Sequence, residues 1–194
     1  MCAPGPRKTK YLVSGSTLAV LLWRHDVLAA WCVLGSVISV FICKLLKILI
    51  NQQRPSTARQ RDPGMPSSHA NNLAFLSTYT AASLLQSTAA PEQMYGGAAL
   101  VVCGALFLTW LRVACGYHTV PQVAVGYCTG LATAVWWQHT GVSIMFPYLV
   151  QNPGLNMYLA AATSIAMLVF VYQSKMVQSV AAGVGDLVAK AKRT

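Results

Sequence analysis

From Val113 to Ser174 the chain carries no Asp, Glu, Lys or Arg. A soluble domain of ordinary composition is about one-quarter charged and does not tolerate so long a neutral run. Hydrocarbon demands one, because a charge moved into it loses its hydration. The whole chain agrees: of 194 residues, 55% are hydrophobic and 9% charged, and the mean hydropathy is +0.51. Inside a bilayer the backbone must satisfy its own N–H and C=O groups, which favours helices. The expected fold class is therefore an all-α integral membrane protein, a bundle of about five transmembrane helices plus an N-terminal interfacial helix.

A crossing helix needs about 20 mostly apolar residues. Five stretches meet this: Val27–Ile50, Asn71–Ala90, Met94–Leu111, Val120–Gln138 and Leu155–Gln173. Tyr11–Trp23 is apolar but too short, and reads as the interfacial helix. The organisation that follows is an interfacial segment over residues 1–26, one transmembrane domain over 27–174, and a basic tail over 175–194. No secretory signal peptide is expected, since the apolar run after the basic Met1–Lys10 stretch is short and lacks a small-residue cleavage site. Asn51–Pro66 is a polar, basic loop, and His139–Pro153 is an uncharged loop expected at the headgroups.

The net charge of +10 would suit nucleic acid, but the hydropathy argues against that partner and for anionic lipid headgroups. The four acids, Asp26, Asp62, Glu92 and Asp186, are scattered. No carboxylate cluster is expected to hold Mg²⁺, so neither metal nor cofactor is anticipated. The six cysteines form no CxxC pair and read as small buried apolar residues.

Three short strings carry the remaining polar chemistry: Lys47-x6-Arg54-Pro55, Pro66-Ser67-Ser68-His69, and Arg112-x5-His118 followed by Gln122. Five alternating spans bring all three to one face of the membrane. If the first helix continues, Lys47 and Arg54 lie about two turns apart on one side and bracket a phosphate. Ser67 caps the next helix, whose N–H groups make an anion site with Ser68, and His69 stands ready to pass a proton. Gln122, four residues after His118, can accept Nδ1–H and leave Nε2 aimed at phosphorus, while Arg112 steadies the equatorial oxygens. Each string alone also admits a plainer reading: snorkelling cations, a capped helix with an interfacial histidine, a buried His–Gln pair.

In order and spacing the three strings resemble the lipid phosphate phosphatase superfamily, the type 2 phosphatidic acid phosphatases, whose pattern is K-x6-R-P, P-S-G-H and S-R-x5-H-x3-D. The resemblance covers about residues 44–122 by motif. Ser68 stands where the pattern has Gly, Leu111 where it has Ser, and Gln122 where it has the acidic partner of the nucleophile. The run P-S-S-H-A with H-T-x-x-Q-V is similar to the plant and algal chloroplast-type branch, and polyprenyl and dolichyl diphosphate phosphatases look alike around the same site.

The resemblance implies that residues 27–174 are a metal-independent phosphatase domain that converts phosphatidate to diacylglycerol and phosphate through a phosphohistidine. His118 is the implied nucleophile, His69 the general acid and base, and Gln122 the residue that orients His118. Lys47, Arg54, Ser67, Ser68 and Arg112 are the implied phosphate ligands. The implied location is a chloroplast membrane, with the endoplasmic reticulum as the alternative. A prenyl or dolichyl diphosphatase, a transferase that passes the phosphoryl group to an alcohol, and a catalytically weak lipid-binding scaffold stay open.

Overall fold

The computed structural model describes residues 27–52, 63–170 and 172. Among them every regular element is helical: α1 (Val27–Ile50), α2 (Ser68–Leu85), α3 (Pro91–Ala114), α4 (Val120–Thr140), α5 (Phe146–Gln151) and α6 (Leu155–Phe170). The expected interfacial segment, the basic tail and Arg54 lie outside the described residues.

Two helices, α1 and α3, are long and apolar enough to cross a membrane. A soluble protein would bury such helices, yet only 17% of the apolar window of α3 is buried. Tyr95, Leu100, Phe107 and Trp110 all stand exposed along it. So much apolar area facing water would be strongly unfavourable, and facing lipid it costs nothing. The remaining expected spans fall on helices with shifted ends: α2 starts three residues earlier than the hydropathy suggests, and α4 ends two residues later.

Two expectations are corrected. The first helix does not continue towards Arg54. It stops at Ile50, and Asn51 takes a left-handed conformation (φ 45°), which asparagine tolerates at a helix end. The stretch 139–153 is not a loop. After α4 a π-helical turn, Gly141–Met145, leads straight into α5. Pro147 sits in the first turn of α5, a position where proline's missing N–H is tolerated. Met145, Phe146 and Leu149 pack into the core, and this apolar content keeps the segment helical.

α2 sits at the centre, packed on α1, α3 and, most extensively, α4. The α2–α4 seam is made close by Gly126 and Gly130. A Cβ on Gly126 would lie 2.5 Å from the carbonyl oxygen of Ser67, and one on Gly130 would overlap that of Asn71. Small residues at this spacing let two backbones approach within a membrane bundle. On the α1 side, Asn71 donates its Nδ2–H to Ser39 Oγ at 2.9 Å, and both residues are fully buried. Away from the polar strings, Trp31 and Trp137 stack 4.1 Å apart, and each indole N–H donates to the other's backbone carbonyl, at 3.3 and 2.8 Å. This reciprocal pair anchors the N-terminal part of α1 to the end of α4, and leaves the opposite end of the bundle to the site.

The seam predicts that Gly130→Ala destabilises the protein by roughly 1–3 kcal/mol, the usual cost of overpacking. Thermal unfolding in detergent should show a lowered Tm. Gly104→Ala on α3, where a Cβ meets nothing within 4 Å, should leave Tm unchanged or slightly raised.

Candidate active site

One hydrogen bond brings the second and third strings together. The N–H of Ser67, just ahead of α2, donates to the carbonyl of Gln122 in the first turn of α4 at 2.9 Å. Ser67 occupies the N-cap position of α2 as expected, but its hydroxyl makes no capping bond. Its Oγ is fully buried and meets no hydrogen-bond partner among the described residues. A buried hydroxyl without a partner costs about 1–3 kcal/mol, which is tolerated where a ligand oxygen restores the bond. Next to it, Ser68 Oγ accepts a weak bond from Cys43 Sγ at 3.8 Å.

The turn between α3 and α4 sets His118. Gly116 adopts φ 69°, a conformation open to glycine without strain. The N–H groups of Tyr117 and His118 then fold back onto the carbonyl of Arg112 at 3.1 and 3.3 Å. The Arg112 guanidinium lies 4.7 Å from the centroid of the Tyr117 ring, a cation–π contact that holds its direction. Its Nη2 reaches Nδ1 of His69 at 3.5 Å.

His118 is buried, 3% exposed, and Gln122 is buried, 1% exposed. Nδ1 of His118 lies 3.2 Å from Gln122 Oε1. The same oxygen accepts the backbone N–H of Thr119 at 3.3 Å. Thr119-x-x-Gln122 is thus a capping box, in which the side chain of the third helical residue reaches back to the N-cap amide and the Thr119 side chain meets the Gln122 N–H. A backbone N–H can only donate, so it identifies that end of the amide as oxygen. His118 must then carry its proton on Nδ1, which leaves the lone pair on Nε2. The opposite assignment holds for His69. A guanidinium can only donate, so Nδ1 of His69 accepts and the proton of a neutral ring sits on Nε2. The two histidines therefore hold complementary neutral tautomers, one with its lone pair at Nε2 and the other with its proton there.

Lys47, at the end of α1, is buried, and its Nζ donates to the carbonyl of Pro63 at 3.0 Å. Gly64 follows, and its N–H donates to the carbonyl of Gln52 at 2.6 Å. Gly64 packs so closely on the Gln122 amide that a Cβ there would lie 2.6–2.9 Å from Nε2, Cδ and Oε1. Lys47, Ser67, Ser68, His69, Arg112, His118 and Gln122 thus share one end of the bundle. Arg54 is outside the described residues. Among the described residues no three His, Cys, Asp or Glu side chains gather as metal ligands do. Among the described residues the reading of the cysteines as small buried residues holds in full for Cys43: Cys32 is half-buried, Cys103 and Cys128 are exposed on their helices, Cys115 is disulfide-bonded, and Cys2 lies outside the described residues.

Sequence reasoning passed over three contributors: Thr119, Gly64 and Gln52. The T-x-x-Q string before an apolar run was the available signal for the first.

A family model, the PAP2 superfamily, matches residues 28–144. The chain belongs to the PAP2 superfamily. This bears out the resemblance carried by the three strings. The chain is 32% identical over 168 residues to lipid phosphate phosphatase epsilon 2, chloroplastic, of Arabidopsis thaliana, covering 85% of this chain and 59% of that protein. It is 36% identical over 133 residues to lipid phosphate phosphatase epsilon 1, chloroplastic, of the same plant, covering 68% and 47%. It is 27% identical over 175 residues to dolichyldiphosphatase 1 of Dictyostelium discoideum, covering 82% and 75%. The chain therefore spans about half the length of the two chloroplastic relatives. No solved structure matches it.

The geometry predicts that Gln122→Leu lowers kcat by about ten- to a hundredfold with little change in KM, because it frees the His118 ring and leaves Lys47, Ser67 and Arg112 in place. Steady-state kinetics on a lipid phosphate checks this split.

Proposed function

We propose that this PAP2 protein is a lipid phosphate phosphatase that hydrolyses phosphatidate to diacylglycerol and phosphate without a metal ion. The observation that carries the reading is the bond from His118 Nδ1–H to Gln122 Oε1, which leaves Nε2 as the nucleophilic atom. In the proposed reaction the Nε2 lone pair of His118 attacks phosphorus in line, and the bond from phosphorus to the lipid oxygen breaks. His69, doubly protonated once Arg112 has turned to the phosphoryl oxygens, gives its Nε2 proton to that leaving oxygen and is left neutral. Water then attacks the phosphohistidine, His69 takes a proton from it, and the N–P bond breaks to release phosphate.

Lys47, Arg54, Arg112, Ser67 and Ser68 are the proposed ligands of the phosphoryl oxygens, and their fixed charges do the work that metal ions do in many phosphoryl-transfer sites. The buried Ser67 hydroxyl, which meets no partner among the described residues, supports its place in that set. Five membrane spans, α1 to α4 and α6, would set this site at one bilayer surface with the acyl chains between helices. The two chloroplastic relatives support a chloroplast membrane as the location. The Dictyostelium relative favours one second reading, a prenyl or dolichyl diphosphate substrate at the same site.

The test is phosphate release by purified protein in EDTA, with phosphatidate and a prenyl diphosphate side by side. Phosphatidate turnover that His118→Ala abolishes is the expected result. Turnover confined to the diphosphate would favour the second reading, and phosphatidate binding without turnover would leave a scaffold. Vanadate, which adopts the trigonal-bipyramidal geometry of phosphorus in flight, should inhibit. Full activity at saturating vanadate would count against a histidine nucleophile.

A further inference from the structure

An aspartate or glutamate opposite a catalytic histidine has two equivalent oxygens, so either can accept Nδ1–H. Gln122 has one oxygen and one NH₂ group, and this difference creates a hazard. Rotation of the terminal amide by about 180° exchanges the two ends at little intrinsic cost. In the exchanged state Nε2 of Gln122 would face both the Thr119 N–H and His118 Nδ1. Two donors would oppose each other at Thr119. At His118, Nδ1 would have to accept, so the ring proton would move to Nε2, the atom that needs its lone pair. A flip of one amide therefore turns the nucleophile into its unreactive tautomer.

Something must hold the amide at its nitrogen end as well as at its oxygen end. Gln122 Nε2 donates to Gln52 Oε1 at 3.5 Å, across 70 residues of sequence. The backbone of Gln52 is held in turn, its carbonyl accepting Gly64 N–H at 2.6 Å. Gly64 lies flat against the amide, where any side chain would collide with it.

We propose that Gln52 is a positioning residue that locks the Gln122 amide, and through it the Nδ1–H tautomer of His118. The inference rests on the reading of His118 as nucleophile. It explains how this chain runs a histidine against a neutral partner: the acid's symmetry is replaced by an acceptor at the far end of the amide. Gln52 touches neither substrate nor reacting atoms, and its effect is on turnover and not on binding.

The test uses the full-length protein in detergent with two readouts, steady-state kinetics on phosphatidate and the ¹⁵N spectrum of labelled histidine. Gln52→Ala should lower kcat about fivefold with KM unchanged, the effect of losing one modest hydrogen bond. Gln52→Lys, which sets a donor against a donor, should lower it further, and Gln52→Glu, which keeps the acceptor, should restore it. The His118 nitrogens should report Nδ1–H in the parent protein and a mixture of tautomers in Gln52→Ala. In a Gln122→Glu background, where both ends of the side chain accept, the Gln52→Ala penalty should disappear. An equal penalty in both backgrounds, or unaltered kcat and nitrogen signals in Gln52→Ala and Gln52→Lys, overturns the proposal. If His118→Ala keeps full activity, the nucleophile reading fails instead, and the nitrogen spectrum still decides whether Gln52 sets the tautomer.

Discussion

The site depends on one junction, where the start of α2 meets the start of α4. Ser67 N–H reaches the carbonyl of Gln122, and the glycines at 126 and 130 let the two backbones close on each other. That contact, with the approach of Arg112 Nη2 to His69 Nδ1, fixes the serine–histidine string against the histidine–glutamine string. Through it the buried Ser67 hydroxyl, His69 and the His118–Gln122 pair belong to one unit. Helix starts are suited to the purpose. Their unsatisfied N–H groups and positive dipole ends already favour an anion, so the basic side chains of α1 and α3 add to a field the backbone supplies.

The second constraint is the direction of each hydrogen bond. Groups that can only donate, the Thr119 N–H and the Arg112 guanidinium, decide which nitrogen of each histidine carries the proton. The same Gln122 oxygen that caps α4 holds His118, so the chemistry of the ring is tied to the stability of the helix start. A neutral amide orients the imidazole but steadies an imidazolium less than a carboxylate does. The proposed enzyme therefore relies on orientation and on its cationic phosphate ligands more than a site with an acid would.

Much of this was legible in the sequence. The bounds of α1 follow from hydropathy alone, because apolar residues fill it until Lys44 and Lys47. Family membership was legible in three strings, since few chemistries call for those cations and histidines at that spacing. The His118–Gln122 contact was legible from its i, i+4 spacing on one helical face. What failed did so for physical reasons. Asn51 keeps α1 from continuing past its span towards Arg54 by taking a left-handed conformation, a choice that composition does not announce. The segment around Pro147 looked like a loop, and its apolar packing against the core makes it helical. Gln52 could not be singled out, because its importance comes from a contact with a residue far along the chain.

The central claim is that a lipid headgroup transfers its phosphoryl group to His118. The direct measurement is rapid mixing of the protein with ³²P-labelled phosphatidate, an alkaline quench that preserves phosphohistidine, and mapping of the labelled peptide. The account predicts label on His118, formed and lost within the turnover time, and none in His118→Ala. Continued turnover with no label on protein, or label on any other residue, would contradict it.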